Sequence, residues 1–132
     1  MQNLFIGKGN LAASPEGKWV DRTAGGDKFF VATMRVMFAR YGRDGEGGVM
    51  QVGGFWREVE IYGKKAEDCV AHLRKGARVL VIGEERDFMA RGEDGEEVQV
   101  IKIVAEDVAL QLTRIESIKF TTARPREEEV EA

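Results

Sequence analysis

The stretch Phe55–Gly83, FWREVEIYGKKAEDCVAHLRKGARVLVIG, constrains the fold more than any other. It reads as strand, short helix, strand. Phe55, Arg57, Val59 and Ile61 fall on one face of the first strand, and Trp56, Glu58, Glu60 and Tyr62 on the other. The first face, Arg57 apart, is a core face. The second sets two large aromatics among carboxylates, so those rings either meet a partner or lie beneath another element. Ala66, Cys69, Val70 and Leu73 recur at helical spacing and form a narrow apolar stripe, about three turns long. Gly76 stops this helix, with Arg74 and Lys75 near its end, where cations suit the dipole. The apolar run Val79–Ile82 then starts a new strand.

The remaining chain supplies further strands. Leu4–Leu11 reads as a first strand interrupted by glycines, with a bend or bulge. Residues 12–27 are turn-rich, and Trp19 and Val20 within them are either a small extra strand or a plug. Lys28–Phe38 is a second strand. Phe30, Ala32, Met34, Val36 and Phe38 share one face; Phe29, Val31, Thr33, Arg35 and Met37 share the other. Both faces are partly apolar, as in strands that curl into small barrels. Residues 39–54 contain six glycines and read as a long, mobile hairpin loop with Arg40, Tyr41 and Arg43 near its base. The fourth strand runs from Arg78 to Phe88 or Arg91, and Asp94-Gly95 marks a hairpin turn. In the fifth, from Glu97, Val98, Val100 and Val104 alternate with Ile101 and Ile103. The sum is all-β with one short helix. Five strands, with the helix between the third and fourth, match the five-stranded OB-fold barrel; a split sheet covered by one helix fits the same pattern. Residues 1–112 form the domain, and 113–132 an acidic tail expected to be disordered at its end.

A chain of 132 residues suits one domain with its own core. Its net charge is −3, but the last twelve residues hold two Arg and four Glu, so the body is nearly neutral. Such a body can gather its cations on one face. One cysteine, Cys69, excludes an intrachain disulfide and fits a reducing compartment. The opening MQNLFIGKGN lacks the pattern of a secretory signal, and no apolar run approaches membrane-spanning length. A cytoplasmic protein with no membrane partner is expected.

Several motifs occur in the order found in bacterial-type single-stranded DNA-binding proteins. Gly9-Asn10-Leu11 followed by Pro15-Glu16 resembles that family's GNLxxxPE entry. Val31-Ala32-Thr33 resembles its LAT, Trp56–Glu67 its WHRVVxFGKxAE, Leu73–Gly76 its LRKG and Ile103–Val108 its IVADEV. The resemblance covers about residues 4–110 and implies an OB-fold barrel that coats single-stranded DNA without sequence preference. It further implies a homo-oligomer, a tetramer before a dimer, serving replication, recombination or repair, with replication or recombination proteins as further partners. The primosomal replication protein N group is a close relative of the same pattern.

On this resemblance Trp56 and Tyr62 match the family's Trp and Phe stacking residues, and Lys64 the lysine of its GKxAE stretch. The family's other two tryptophans fall at Met37, beside Phe38, and near Ala90, with Phe88 and Met89 as substitutes. Any base can stack on an aromatic ring, and cations neutralise phosphates. Arg35, Arg40, Arg43, Arg57, Arg86 and Arg91 are the further candidates for phosphate contact. Glu58 and Glu60 oppose this, because carboxylates between the rings repel phosphate. They motivate the alternative of an OB-fold assembly or primosome-type subunit with weak or lost DNA binding. The family's acidic tip ending in Pro-Phe is replaced here by Val130-Glu131-Ala132.

Other chemistries find little in the residues. Gly7–Ala12 imitates a GxGxxA dinucleotide fingerprint, but Pro15-Glu16-Gly17 follows where a helix is required. Cys69 and His72 lack further ligands for zinc, and no cofactor is expected. Glu58 and Glu60 lie on an exposed strand face without a nearby His or Asp cluster, so no enzymatic centre is expected.

Overall fold

The computed structural model describes residues 3–21 and 25–122. The elements are β1 (Leu4–Leu11), β2 (Glu16–Asp21), β3 (Lys28–Arg43), β4 (Val49–Tyr62), α1 (Lys64–His72), β5 (Arg78–Arg91) and β6 (Glu97–Leu110). The sheet runs β1-β5-β6-β4-β3-β2, and a further β1–β3 pairing closes it into a barrel. The expected five strands are thus β1, β3, β4, β5 and β6. The sixth, β2, contains Trp19 and Val20 and pairs antiparallel along the outer edge of β3. With β2 counted, the helix sits between β4 and β5.

The core follows from strand alternation. Ala32, Met34, Val36 and Phe38 of β3 pack with Val59 and Ile61 of β4, Val79 and Val81 of β5, and Ile103 and Ala105 of β6. Helix α1 closes one end of the barrel with Ala66 and Cys69, followed by Leu73 just past its last turn. Val70, expected on that stripe, is exposed. The helix is shorter than its apolar pattern implied. Leu73 is already extended, and Arg74 and Lys75 lie in the turn beyond it.

Two expectations about glycines change. Gly9 does not interrupt β1, which is continuous. A Cβ there would lie 2.5 Å from the Met37 carbonyl oxygen and 2.7 Å from Val36. Glycine is needed because β1 and β3 approach so closely at the barrel's closure. The glycine-rich residues 39–54 are also not a long loop. β3 and β4 continue as a two-stranded ribbon to a tip at residues 44–48, with a bulge after Arg40. Backbone pairing there needs no apolar side chains, and Gly54, at φ 144°, passes against Ala39 where a Cβ would clash at 2.6 Å. β5 and β6 extend likewise into a hairpin that turns at Gly92–Gly95.

β4 and β6 pair in parallel, with Glu58 opposite Lys102 and Glu60 opposite Val104. The N-terminal halves of both strands therefore point the same way. The β3–β4 ribbon and the β5–β6 hairpin project from the same end of the barrel. Residues 113–122 leave β6 without regular structure, and the expected disordered end of the tail, 123–132, lies outside the described residues.

Candidate nucleic-acid interface

The outer face of the barrel wall carries the candidate residues. Cross-strand register sets Met37 opposite Trp56, Arg35 opposite Glu58, and Val31 opposite Tyr62 on β3 and β4. On the neighbouring strands Arg86 is opposite Lys102, and Phe88 opposite Val100. Val59 and Ile103, paired between β4 and β6, both point into the core. The alternating residues Trp56, Tyr62, Lys102, Arg86 and Phe88 therefore share the outside surface. Trp56, Tyr62 and Phe88 are each about two-fifths exposed, at 44%, 42% and 45%.

Each ring is held by a neighbour. The Arg35 guanidinium lies 5.1 Å from the Trp56 ring centroid, and the Lys102 ammonium 5.4 Å from that of Phe88. Tyr62 packs against Phe29 with centroids 5.6 Å apart. Its hydroxyl donates to Glu60 Oε1 at 2.9 Å. Burial, then that hydrogen bond and the carboxylate's charge, raise the Tyr62 phenol above its ordinary range, with Arg86 opposing them. The hydroxyl therefore stays protonated and keeps its donor role.

Of the two carboxylates between the rings, Glu60 is answered by a cation. Lys102 Nζ lies 3.1 Å from both Oε1 and Oε2 of Glu60. Glu58 lies opposite Arg35 on β3 and Lys102 on β6 in strand register, without an ion pair of its own among the described residues. Lys102 was not among the sequence candidates. Its signal was present in the alternation of β6, where it is the one cation on the face of Val98, Val100 and Val104. Tyr41 is the second omission; it lies on the ribbon, 54% exposed.

Other candidates stand apart from this face. Phe38 is 4% exposed and sits in the core, its ring centroid 5.0 Å from that of Phe5 and 5.5 Å from that of Phe55. It belongs to the inward face of β3, so its place beside Met37 in sequence does not carry it to the surface. Arg57 alternates inward as well. Its guanidinium covers Phe55 at 4.6 Å, its Nε lies 3.6 Å from Glu85 Oε2, and its Nη1 donates to the Trp56 carbonyl. It braces the barrel mouth. Lys64 begins α1 beyond Tyr62 and pairs with Asp68 at 3.2 Å. Arg86 is on the face but paired with Glu84 at 2.9 Å. Arg40 and Arg43 lie exposed on the β3–β4 ribbon, and Arg91 is exposed where β5 ends.

Among the described residues no group of three or more His, Cys, Asp or Glu could hold a metal ion. Cys69 is buried, and its thiol is pushed up to about 11, by burial first and the Asp68 charge second. No helix among the described residues is long and apolar enough to cross a membrane.

A closed barrel capped by one helix, with exposed rings and cations on one wall, defines an OB-fold protein. The chain belongs to the Single-strand binding protein family, whose model matches residues 1–111. It is 31% identical over 108 residues to a single-stranded DNA-binding protein of Xylella fastidiosa, covering 82% of this chain and 62% of that one. To the single-stranded DNA-binding protein of Mycolicibacterium smegmatis it is 30% identical over 121 residues, covering 88% and 64%. The chain thus spans less than two thirds of the length of these curated relatives. In fold it is similar to a small single-stranded DNA-binding protein from Streptomyces coelicolor, with a TM-score of 0.68, 19% identity, and coverage of 85% and 97%.

Proposed function

We propose that this protein binds single-stranded DNA without sequence preference and without catalysing a reaction. The observation that carries this reading is the continuous outer face on which Trp56, Tyr62 and Phe88 stand exposed with Arg35 and Lys102 against or between them. Bases stack on the rings, and the cations take phosphates. Met37 extends the apolar surface beside Trp56. Arg40, Arg43 and Tyr41 on one ribbon, and Arg91 at the end of the other, enclose a strand lying across the face. Pairing of Glu60 with Lys102 weakens the electrostatic argument for the assembly-subunit alternative, leaving Glu58 as its remaining carboxylate.

The protein works as a homo-oligomer in the cytoplasm, in replication, recombination or repair. Support for oligomerisation comes from the outward side of β1, where Leu4 and Ile6 are 62% and 61% exposed. Isolated apolar residues are ordinary on a surface; two adjacent on one strand face suit contact with a second copy. The test is a tryptophan-fluorescence titration with an unstructured oligonucleotide, with subunit mass measured by light scattering on the same sample. Quenching that saturates and weakens with salt is expected. Absence of any spectral change at low salt would overturn the reading.

A further inference from the structure

A second cationic surface lies off this face, where the chain leaves the barrel. Residues 113–119 fold back over the turn between α1 and β5 and enclose a groove of about 810 Å³. His72, Arg74, Lys75, Arg78, Arg114 and Lys119 line it, and no carboxylate does. That is unlike the outer sheet face, where Glu58, Glu60 and Glu84 are interleaved with the cations. In a chain of net charge −3, five permanent cations line this groove, with Glu116 of the same segment the nearest acid in sequence and not itself in the lining.

Both walls are built. The α1–β5 turn is tied to the end of β1: Gly76 N donates to the Leu11 carbonyl at 2.8 Å, and Asn10 Nδ2 to the Gly76 carbonyl at 3.1 Å. Arg78 Nη1 is fixed at 2.8 Å from Asn10 Oδ1, and Lys75 N donates to Ser14 Oγ. The opposite wall begins where Gln111 N donates to the Arg78 carbonyl at 2.8 Å. Arg114 then takes φ 58°, the left-handed region that a side chain rarely occupies. That residue turns the segment back across the groove. Arg114 and Lys119 both lie beyond residues 1–111, which match the family model.

We infer that this groove is a second phosphate-binding track, engaged by a bound strand long enough to reach past the aromatic face. The inference rests on the nucleic-acid reading above. The lining offers cations and aliphatic side chains but no Phe, Tyr or Trp, so it takes the backbone and leaves the bases unstacked. Helix α1 runs from beside Tyr62 to the groove, about 14 Å at the usual rise per residue. A strand confined to the face does not touch it. Occupancy of the groove therefore makes affinity depend on strand length.

The test compares the wild-type chain with Arg114→Gln/Lys119→Gln and with Arg114→Glu/Lys119→Glu. Each is titrated with oligothymidylates of about 8 and about 35 nucleotides, a range set around the site size of one OB fold. Short-oligonucleotide affinity, tryptophan quenching and the unfolding midpoint should match wild type. Long-oligonucleotide affinity should fall about tenfold at roughly 0.2 M salt for the neutral pair, and further for the reversed pair. The slope of log K against log salt should flatten by about 1.4, the share of two single-strand phosphate contacts. Variants equal to wild type on both lengths would overturn the groove and leave the face intact. Equal losses on both lengths would also overturn it, assigning these cations to a general field. Binding of poly-glutamate by wild type that both variants lose, without a length-dependent loss of DNA affinity, would give the groove to an acidic protein partner and overturn it too. Failure of wild type to bind even the short strand is the separate failure of the function proposed above.

Discussion

Lys102 places its ammonium 3.1 Å from both carboxylate oxygens of Glu60, across the parallel β4–β6 pairing. The same ammonium faces the Phe88 ring. One side chain thus neutralises the acid between two candidate stacking rings and supports a third. Lys102→Met should lower single-stranded DNA affinity about threefold or more at roughly 0.2 M salt, the share of one phosphate contact. Adding Glu60→Gln should return most of that loss, because the unpaired carboxylate is then gone. Titration of the two variants and the double variant checks this. No recovery in the double variant would reduce Lys102 to a simple phosphate contact.

Trp56 and Phe38 should separate binding from folding. Trp56→Ala is expected to weaken DNA binding by about 1–3 kcal/mol with little change in stability. Phe38→Ala empties a core position and should cost about 3–5 kcal/mol of stability. Denaturant melts and fluorescence titrations on both variants distinguish the roles. Equal effects on both measurements for both residues would contradict the inward and outward assignment.

Gly9→Ala should destabilise the barrel by about 1–3 kcal/mol, because its methyl group meets the Met37 backbone at 2.5 Å. The β1–β3 closure must spread to admit it. Thermal unfolding measures the cost, and a neutral substitution would mean that β1 shifts freely.

Stability should fall in alkaline solution. Burial raises the Cys69 thiol from an ordinary value of 9.0 to about 11, so the fold favours the neutral thiol. That contribution is fully present below about 9 and is lost as pH rises through about 11. Tyr62 is shifted in the same direction and adds to the loss at higher pH. Urea midpoints measured at pH 8 and pH 10.5 should differ more for wild type than for Cys69→Ala. Iodoacetamide should modify Cys69 slowly in the native protein at pH 8 and rapidly once it is unfolded.

Much of this architecture was legible in the chain. Alternation in Phe55–Tyr62 and Lys28–Phe38 assigned Val59, Ile61, Met34 and Val36 inward and Trp56, Tyr62 and Met37 outward. The same rule, applied strictly, would have excluded Phe38 and Arg57, which share the inward faces. Residues 39–54 hid their pairing because a two-stranded ribbon outside the core is held by backbone bonds and leaves no hydrophobic period. Lys102 was hidden for another reason. Its importance comes from Glu60 and Phe88, which lie 42 and 14 positions away in the chain and meet it only when β4, β5 and β6 assemble.

The barrel closes at Asn10 against Met37 and Leu11 against Val36, a short seam beside the long pairings of β3–β4 and β5–β6. Parting is easiest where the fewest backbone bonds must break. Met37 stands on that seam on one side and opposite Trp56 on the other. The aromatic wall therefore has a short seam on each border, two pairs toward β1 and three toward β6, against thirteen within β3–β4. A ligand that presses on Trp56 is met by a ribbon long in its own pairing and lightly stitched to the barrel on both sides.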